Sequence, residues 1–80
     1  MKLLVVEDEA LLRHHLQTRL REGGHVVEAV ANAEEALYQA GQFNYDLAMI
    51  DLGLPGLGGL ELIGELRQRG KTFPILILTA

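Results

Sequence analysis

Four short runs of apolar residues alternate with longer amphipathic stretches along the chain. The runs cover residues 3–6, 26–30, 47–50 and 75–78. Nearly continuous valine, isoleucine and leucine is typical of strands that are covered on both faces within a parallel sheet. Glu28 interrupts the second run, which indicates a strand at the edge of that sheet.

The stretch after the first run predicts a helix with a single apolar stripe. Leu12, Leu16 and Leu20 recur at four-residue spacing, and polar residues occupy the other positions of the helical wheel. We expect this stripe to pack on the core. Gly23 and Gly24 follow it and favour the end of the helix.

Two further helices are predicted between the remaining runs. The second begins with Asn32, three residues before Glu35 in a pattern that resembles a capping box, and it ends at Gly41. The residues that it buries are Ala33, Ala36, Leu37 and Ala40. The third covers residues 60–69 and is followed by Gly70. Its inward residues are Leu62, Ile63 and Leu66.

The predicted order of elements is βαβαβαβ, which indicates an α/β fold with helices on both faces of a parallel sheet. Connections between parallel strands are right-handed in nearly all proteins. The natural arrangement is therefore a flavodoxin-like, doubly wound sheet with the strand order 2-1-3-4. Ligands of such sheets bind beyond the carboxyl ends of the strands, where the strand order reverses.

Three acidic residues are predicted to meet at this point of reversal. Glu7 and Asp8 directly follow the first strand, and Asp51 directly follows the third. Clustered carboxylates repel one another unless a cation neutralises them. Magnesium fits best, because it is held by one or two carboxylates together with waters and phosphate oxygens.

Asp51 is the candidate nucleophile, since an aspartate can attack phosphorus and form an aspartyl phosphate. Asp46 lies five residues earlier and is predicted to be roughly 16 Å away, at the opposite end of the sheet. The alternative interpretation of the acidic residues is a set of solvated loop charges with helix-capping roles. Glu9 fits that description, because it lies near the start of the first helix.

Composition narrows the possible functions. The chain has 80 residues, no cysteine and a formal net charge of -4, so disulfides, thiolate catalysis and a general attraction to DNA or anionic membranes are not expected. The apolar start is too short for a signal peptide or a membrane span. No dinucleotide fingerprint or P-loop occurs. We expect a cytoplasmic domain that does not itself bind DNA.

Three segments together resemble the receiver domain of bacterial response regulators, particularly the PhoP/OmpR-like transcription-factor class. Their order and spacing match over all 80 residues. The segments are Val5-Val6-Glu7-Asp8-Glu9, Ile50-Asp51-Leu52-Gly53-Leu54-Pro55-Gly56 with Gly59 after it, and Leu78-Thr79-Ala80.

The resemblance implies a phosphoacceptor of a two-component system that regulates transcription. Asp51 would accept the phosphoryl group from a sensor histidine kinase. Mg²⁺ would be held by Glu7, Asp8, Asp51 and the backbone carbonyl of Gly53. Thr79 would provide the hydroxyl that turns toward the phosphoryl group. At most, such a domain catalyses its own phosphorylation and dephosphorylation, so we expect no classical enzyme.

The resemblance also has implications for contacts with other chains. Leu11 and Leu12 lie where receivers dock a kinase helix, although Leu12 is better explained by core packing. A receiver continues for about forty more residues, with a lysine on a fifth strand and two further helices. Residues 1–80 would then be an incomplete receiver domain without an effector domain, and the fourth strand would be an exposed edge that favours self-association.

Two rival functions remain. The chain could be a structural, self-associating fragment whose acidic pocket is vestigial. It could also be a phosphatase with an aspartyl nucleophile, but the common form of that chemistry needs a second aspartate two residues after the first. Gly53 occupies that position.

Overall fold

Seven elements follow one another in the order βαβαβαβ across residues 1–78, the part of the chain that the computed structural model describes. Each strand agrees with its predicted apolar run to within one residue. No helix within this part is long and apolar enough to cross a bilayer. The elements are β1 (Lys2–Val6), α1 (Ala10–Glu22), β2 (Val26–Val30), α2 (Ala33–Gln42), β3 (Leu47–Asp51), α3 (Gly59–Gln68) and β4 (Ile75–Leu78).

The strands form one parallel sheet in the order β2-β1-β3-β4, as predicted. Val6 at the end of β1 is in register with Val30 on one side and Ile50 on the other. The carboxyl ends of the first three strands therefore lie at the same edge of the sheet. β2 is an edge strand, in agreement with its exposed Glu28.

The main core lies between the sheet and the helices α2 and α3. Leu4 and Ile50 project from the central strands and meet Leu62 and Leu66 of α3, and all four side chains are fully buried. Burial of a leucine or isoleucine side chain contributes about 1.5–3 kcal/mol. This packing holds α3 against the end of β3.

The opposite face of the sheet carries a smaller core under α1. Leu3, Val5 and Val27 are buried there, with Leu16 and Leu20 of α1 partly buried against them. The prediction that Leu12 packs on the core is wrong, because its side chain is 44% exposed. Helical spacing shows which face of a helix is apolar, but it does not show how far the sheet extends beneath each turn.

The predicted start of α2 is confirmed, whereas its predicted end is not. Asn32 Oδ1 accepts a hydrogen bond from the Glu35 amide at 2.9 Å, and the Glu35 carboxylate accepts one from the Ala31 amide at 3.1 Å. The predicted end at Gly41 is wrong, since α2 continues through Gln42. Gly41 does not take the positive φ that would end a helix.

Candidate functional site

The carboxylates of Glu7, Asp8 and Asp51 lie together at the carboxyl ends of β1 and β3. One oxygen of each lies within 4.8 Å of one oxygen of the other two. Glu7 is buried, Asp8 is exposed and Asp51 is half-buried. The predicted convergence of these three residues is therefore confirmed. The cluster therefore offers carboxylate oxygens that differ in their exposure to solvent.

Glu7 is the most buried of the three residues. Its side chain is only 4% exposed, and its carboxylate accepts a hydrogen bond from the Glu9 amide at 3.2 Å. Burial raises the pKa of Glu7, the Glu9 amide lowers it, and the neighbouring Asp8 and Asp51 raise it further, for a net increase. A bound cation would oppose this increase, because it stabilises the ionised carboxylate.

Asp51 is the last residue of β3, where it is in register with Leu78 of β4. Its Oδ1 accepts a hydrogen bond from the Gly53 amide at 2.9 Å. This bond closes a short turn directly after the strand and restrains the orientation of the carboxylate. The Gly53 residue thus lies beside Asp51, while the role of its carbonyl as a metal ligand stays a prediction.

Gly59 brings the start of α3 into direct contact with the backbone that follows β3. A Cβ atom at this position would overlap the Asp51 carbonyl oxygen and lie 2.7 Å from Leu52 Cα. Only glycine allows so close an approach. The sequence placed Gly59 in a motif but did not reveal this contact, since close approach between two backbones depends on the tertiary structure.

Arg13 is a second residue whose position at the site was missed. Its Nη1 donates hydrogen bonds to the carbonyl oxygens of Glu7 at 3.0 Å and Asp8 at 3.2 Å. The helical pattern predicted only that Arg13 lies on the polar side of the first helix. An arginine five residues after the second member of an acidic pair at a strand end is the signal that could have suggested the contact.

Two other acidic residues do not belong to the carboxylate cluster. Asp46 precedes β3 at the opposite end of the sheet, as predicted, and accepts a hydrogen bond from the Lys2 amide at 2.7 Å. Glu9 caps α1, because its carboxylate accepts hydrogen bonds from the amides of Leu11 and Leu12. Thr79, the predicted switch residue, lies outside the described residues.

The family model of the response regulator receiver domain matches residues 3–80. The chain belongs to the response regulator receiver family. It is 74% identical over all of its 80 residues to the two-component response regulator PhoP of Pseudomonas aeruginosa, of which it covers 36%. The chain thus spans about a third of the length of this relative. Receivers are mainly signalling domains, in agreement with the expectation of no classical enzyme.

Solved receiver structures have the same fold. The response regulator TrrA of Thermotoga maritima, solved in complex with Mg²⁺ and BeF, is 42% identical and superposes with a TM-score of 0.92 over 99% of this chain and 69% of TrrA. TrrA in complex with the histidine kinase ThkA has a TM-score of 0.90 over 99% of this chain and 68% of TrrA. The flavodoxin-like receiver fold predicted from the sequence is therefore confirmed.

Proposed function

We propose that this chain is the phosphoacceptor part of a two-component response regulator, phosphorylated on Asp51 by a sensor histidine kinase. The observation that carries the proposal is the convergence of Glu7, Asp8 and Asp51 within 4.8 Å. A cluster of this kind, with one member buried, favours a bound divalent cation over solvated loop charges.

Mg²⁺ is the cation that best fits these donors. Glu7, Asp8, Asp51 and the Gly53 carbonyl would hold it, and all four offer the oxygen ligands that this hard ion prefers. Asp8 is exposed and Asp51 is half-buried, so waters and phosphate oxygens could reach an ion held by these residues. When bound, Mg²⁺ would neutralise charge on the oxygens of the transferred phosphoryl group.

Asp51 would carry out the transfer itself. One of its carboxylate oxygens forms a bond to phosphorus as the bond from phosphorus to the kinase histidine breaks, and the departing imidazole takes up a proton. The hydrogen bond from the Gly53 amide holds the carboxylate in a restricted orientation for this attack. We assign Thr79 the role of the hydroxyl that later turns toward the phosphoryl group.

The kinase would dock beside the site, on the first turn of α1. Leu11 is 73% exposed and Leu12 is 44% exposed, and together with Glu9 and His15 they line a shallow surface pocket. Exposed apolar residues next to a reactive carboxylate suit a partner that must bring its own reactive group close. The solved complex of TrrA with ThkA supports a kinase as that partner.

The remaining parts of the proposal concern the whole protein. Residues 1–80 would be the N-terminal part of a cytoplasmic receiver domain, and phosphorylation would regulate transcription through DNA binding by a region outside these residues. The identity to PhoP supports this reading. We assign no direct DNA binding to residues 1–80, in agreement with their net charge of -4.

Adduct formation tests the proposal directly. We expect the wild-type chain, incubated with Mg²⁺ and beryllium fluoride or a small phosphodonor, to form an adduct that is lost completely in Asp51→Asn. Mass spectrometry and fluorine NMR measure it. An adduct that persists in Asp51→Asn, or that never forms with the wild type, would contradict the proposal, and the latter result favours a structural fragment. Steady hydrolysis of unrelated phosphate esters would favour a phosphatase.

We further propose that the 80-residue chain associates with itself through β4. This edge strand carries Leu76 and Ile77, which are 51% and 46% exposed. Unpaired apolar edges recruit other strands. Light scattering is expected to show association that increases with concentration and is weakened by Leu76→Lys. Leu60→Lys is the control, since Leu60 is a leucine on α3 that is 67% exposed. A monodisperse monomer at high concentration would refute this proposal.

A further inference from the structure

Arg13 connects the body of α1 to the loop that carries the acidic pair. The residue is half-buried, and its Nη1 donates to the carbonyl oxygens of Glu7 at 3.0 Å and of Asp8 at 3.2 Å. Hydrogen bonds from a charged donor are shorter and stronger than neutral ones. One guanidinium nitrogen therefore restrains two successive peptide groups.

The two restrained peptide groups belong to the residues whose carboxylates meet Asp51. A carbonyl held in place limits the rotation of its own residue, so the direction of the side chain relative to the sheet is limited as well. The Glu9 amide, which donates to Glu7 Oε2 at 3.2 Å, restrains the same loop from its other side. Protein groups therefore hold both the backbone and a side chain of this loop.

We propose that Arg13 is a positioning residue for the magnesium site. It holds Glu7 and Asp8 in the arrangement that binds the cation, although its own side chain contacts only their backbone carbonyls. Groups that orient metal ligands from outside the coordination sphere commonly change affinity about 10- to 100-fold when removed. This inference rests on the proposed Mg²⁺-dependent function.

Electrostatics alone predicts the opposite effect. Arg13 places a positive charge beside a site for a divalent cation, so its removal should strengthen Mg²⁺ binding if charge were its only influence. The positioning role requires that removal weaken binding. The sign of the change therefore distinguishes the two influences.

The test compares Arg13→Gln with Arg19→Gln, a change of equal charge at an exposed position near the other end of α1. Isothermal titration calorimetry measures Mg²⁺ affinity for both variants and the wild-type chain. We expect the affinity of Arg13→Gln to fall about tenfold. We expect Arg19→Gln to stay within about twofold of the wild type, because water and salt screen its charge.

Melting temperatures separate positioning from a purely structural role. If Arg13 only supported the fold, Arg13→Gln would lower the melting temperature equally in EDTA and in excess Mg²⁺. Positioning instead reduces the increase in melting temperature that Mg²⁺ produces. Arg13→Lys keeps the charge on a shorter side chain, so we expect its Mg²⁺ affinity to lie between those of the wild type and Arg13→Gln. If Arg13→Gln does not fold, the Mg²⁺ affinity of Arg13→Lys is the test of positioning.

Arg13→Gln that binds Mg²⁺ as tightly as the wild type, or more tightly, would overturn the inference and leave the proposed function intact. The same holds for wild-type affinity in Arg13→Lys when Arg13→Gln is unfolded. A wild-type chain that binds no Mg²⁺ would overturn the proposed function and this inference together.

Discussion

The two ends of the sheet place their aspartates in different surroundings. At the amino end, Asp46 accepts a hydrogen bond from the Lys2 amide, and the Lys2 ammonium lies 4.5 Å from the centroid of the Phe43 ring. At the carboxyl end, Asp51 lies among two further carboxylates. Within residues 1–78, none of the carboxylates of Glu7, Asp8 and Asp51 forms an ion pair with a lysine or arginine side chain.

The difference indicates which end of β3 is built for a ligand. Both aspartates accept a hydrogen bond from a backbone amide, but within residues 1–78 only Asp51 belongs to a group of three carboxylates close enough to hold a metal ion. The carboxyl end concentrates negative charge and buries part of it at Glu7, an arrangement that is unfavourable until a cation arrives. Three experiments test this comparison.

Replacement of Gly59 should have the largest effect. Gly59→Ala places a Cβ against the Asp51 carbonyl and Leu52 Cα, so α3 and the end of β3 must separate. We expect a loss of about 1–3 kcal/mol of unfolding free energy together with weaker Mg²⁺ binding. Chemical denaturation and calorimetry measure the two effects.

Gly64→Ala is the matched control for this change. Gly64 lies in the middle of α3, and a Cβ there would meet nothing within 4 Å. The same substitution should therefore stabilise the chain by about 0.5–1 kcal/mol. Equal effects of the two substitutions would contradict the close-contact role of Gly59.

Glu7→Gln should sharpen the comparison through its pH dependence. The pKa of Glu7 is raised in the folded state, so the native state binds the proton more tightly than the unfolded state does. Without Mg²⁺, the unfolding free energy of the wild type should fall as pH rises through this raised pKa. Glu7→Gln lacks that dependence. Its Mg²⁺ affinity should fall by about tenfold or more.

Denaturation curves over a pH series, with and without Mg²⁺, measure both effects. In the wild type, the stabilisation by Mg²⁺ should weaken as pH falls, because a protonated Glu7 is no longer a ligand. Glu22→Gln removes an exposed carboxylate elsewhere and serves as the control. If Glu7→Gln kept the wild-type dependence on pH, Glu7 would not be the group responsible.

Removal of the carboxylate at the other end of the sheet should have the smallest effect. Asp46→Ala deletes the hydrogen bond to the Lys2 amide, so we expect a loss of about 0.5–1.5 kcal/mol of unfolding free energy. Mg²⁺ affinity and adduct formation should stay at wild-type levels. A decrease in either would show that the two ends of the sheet are coupled.

Most of the fold and part of the site could be predicted from the sequence. The apolar runs predicted the four strands to within one residue, and right-handed connections then led to the observed strand order. Once that order was known, Glu7, Asp8 and Asp51 had to meet, because parallel strands share an edge at their carboxyl ends. Local pattern and chain topology were sufficient for these features.

Other features depended on contacts between distant parts of the chain. The exposure of Leu12, the burial of Glu7 and the approach of Gly59 to the Asp51 backbone follow from how closely the layers pack. The contact of Arg13 with the Glu7 and Asp8 carbonyls depends on where the start of α1 packs relative to the loop after β1. The sequence by itself determined where the acidic residues meet, whereas only the tertiary structure decided how they are buried and held, because packing distances are set by all layers together.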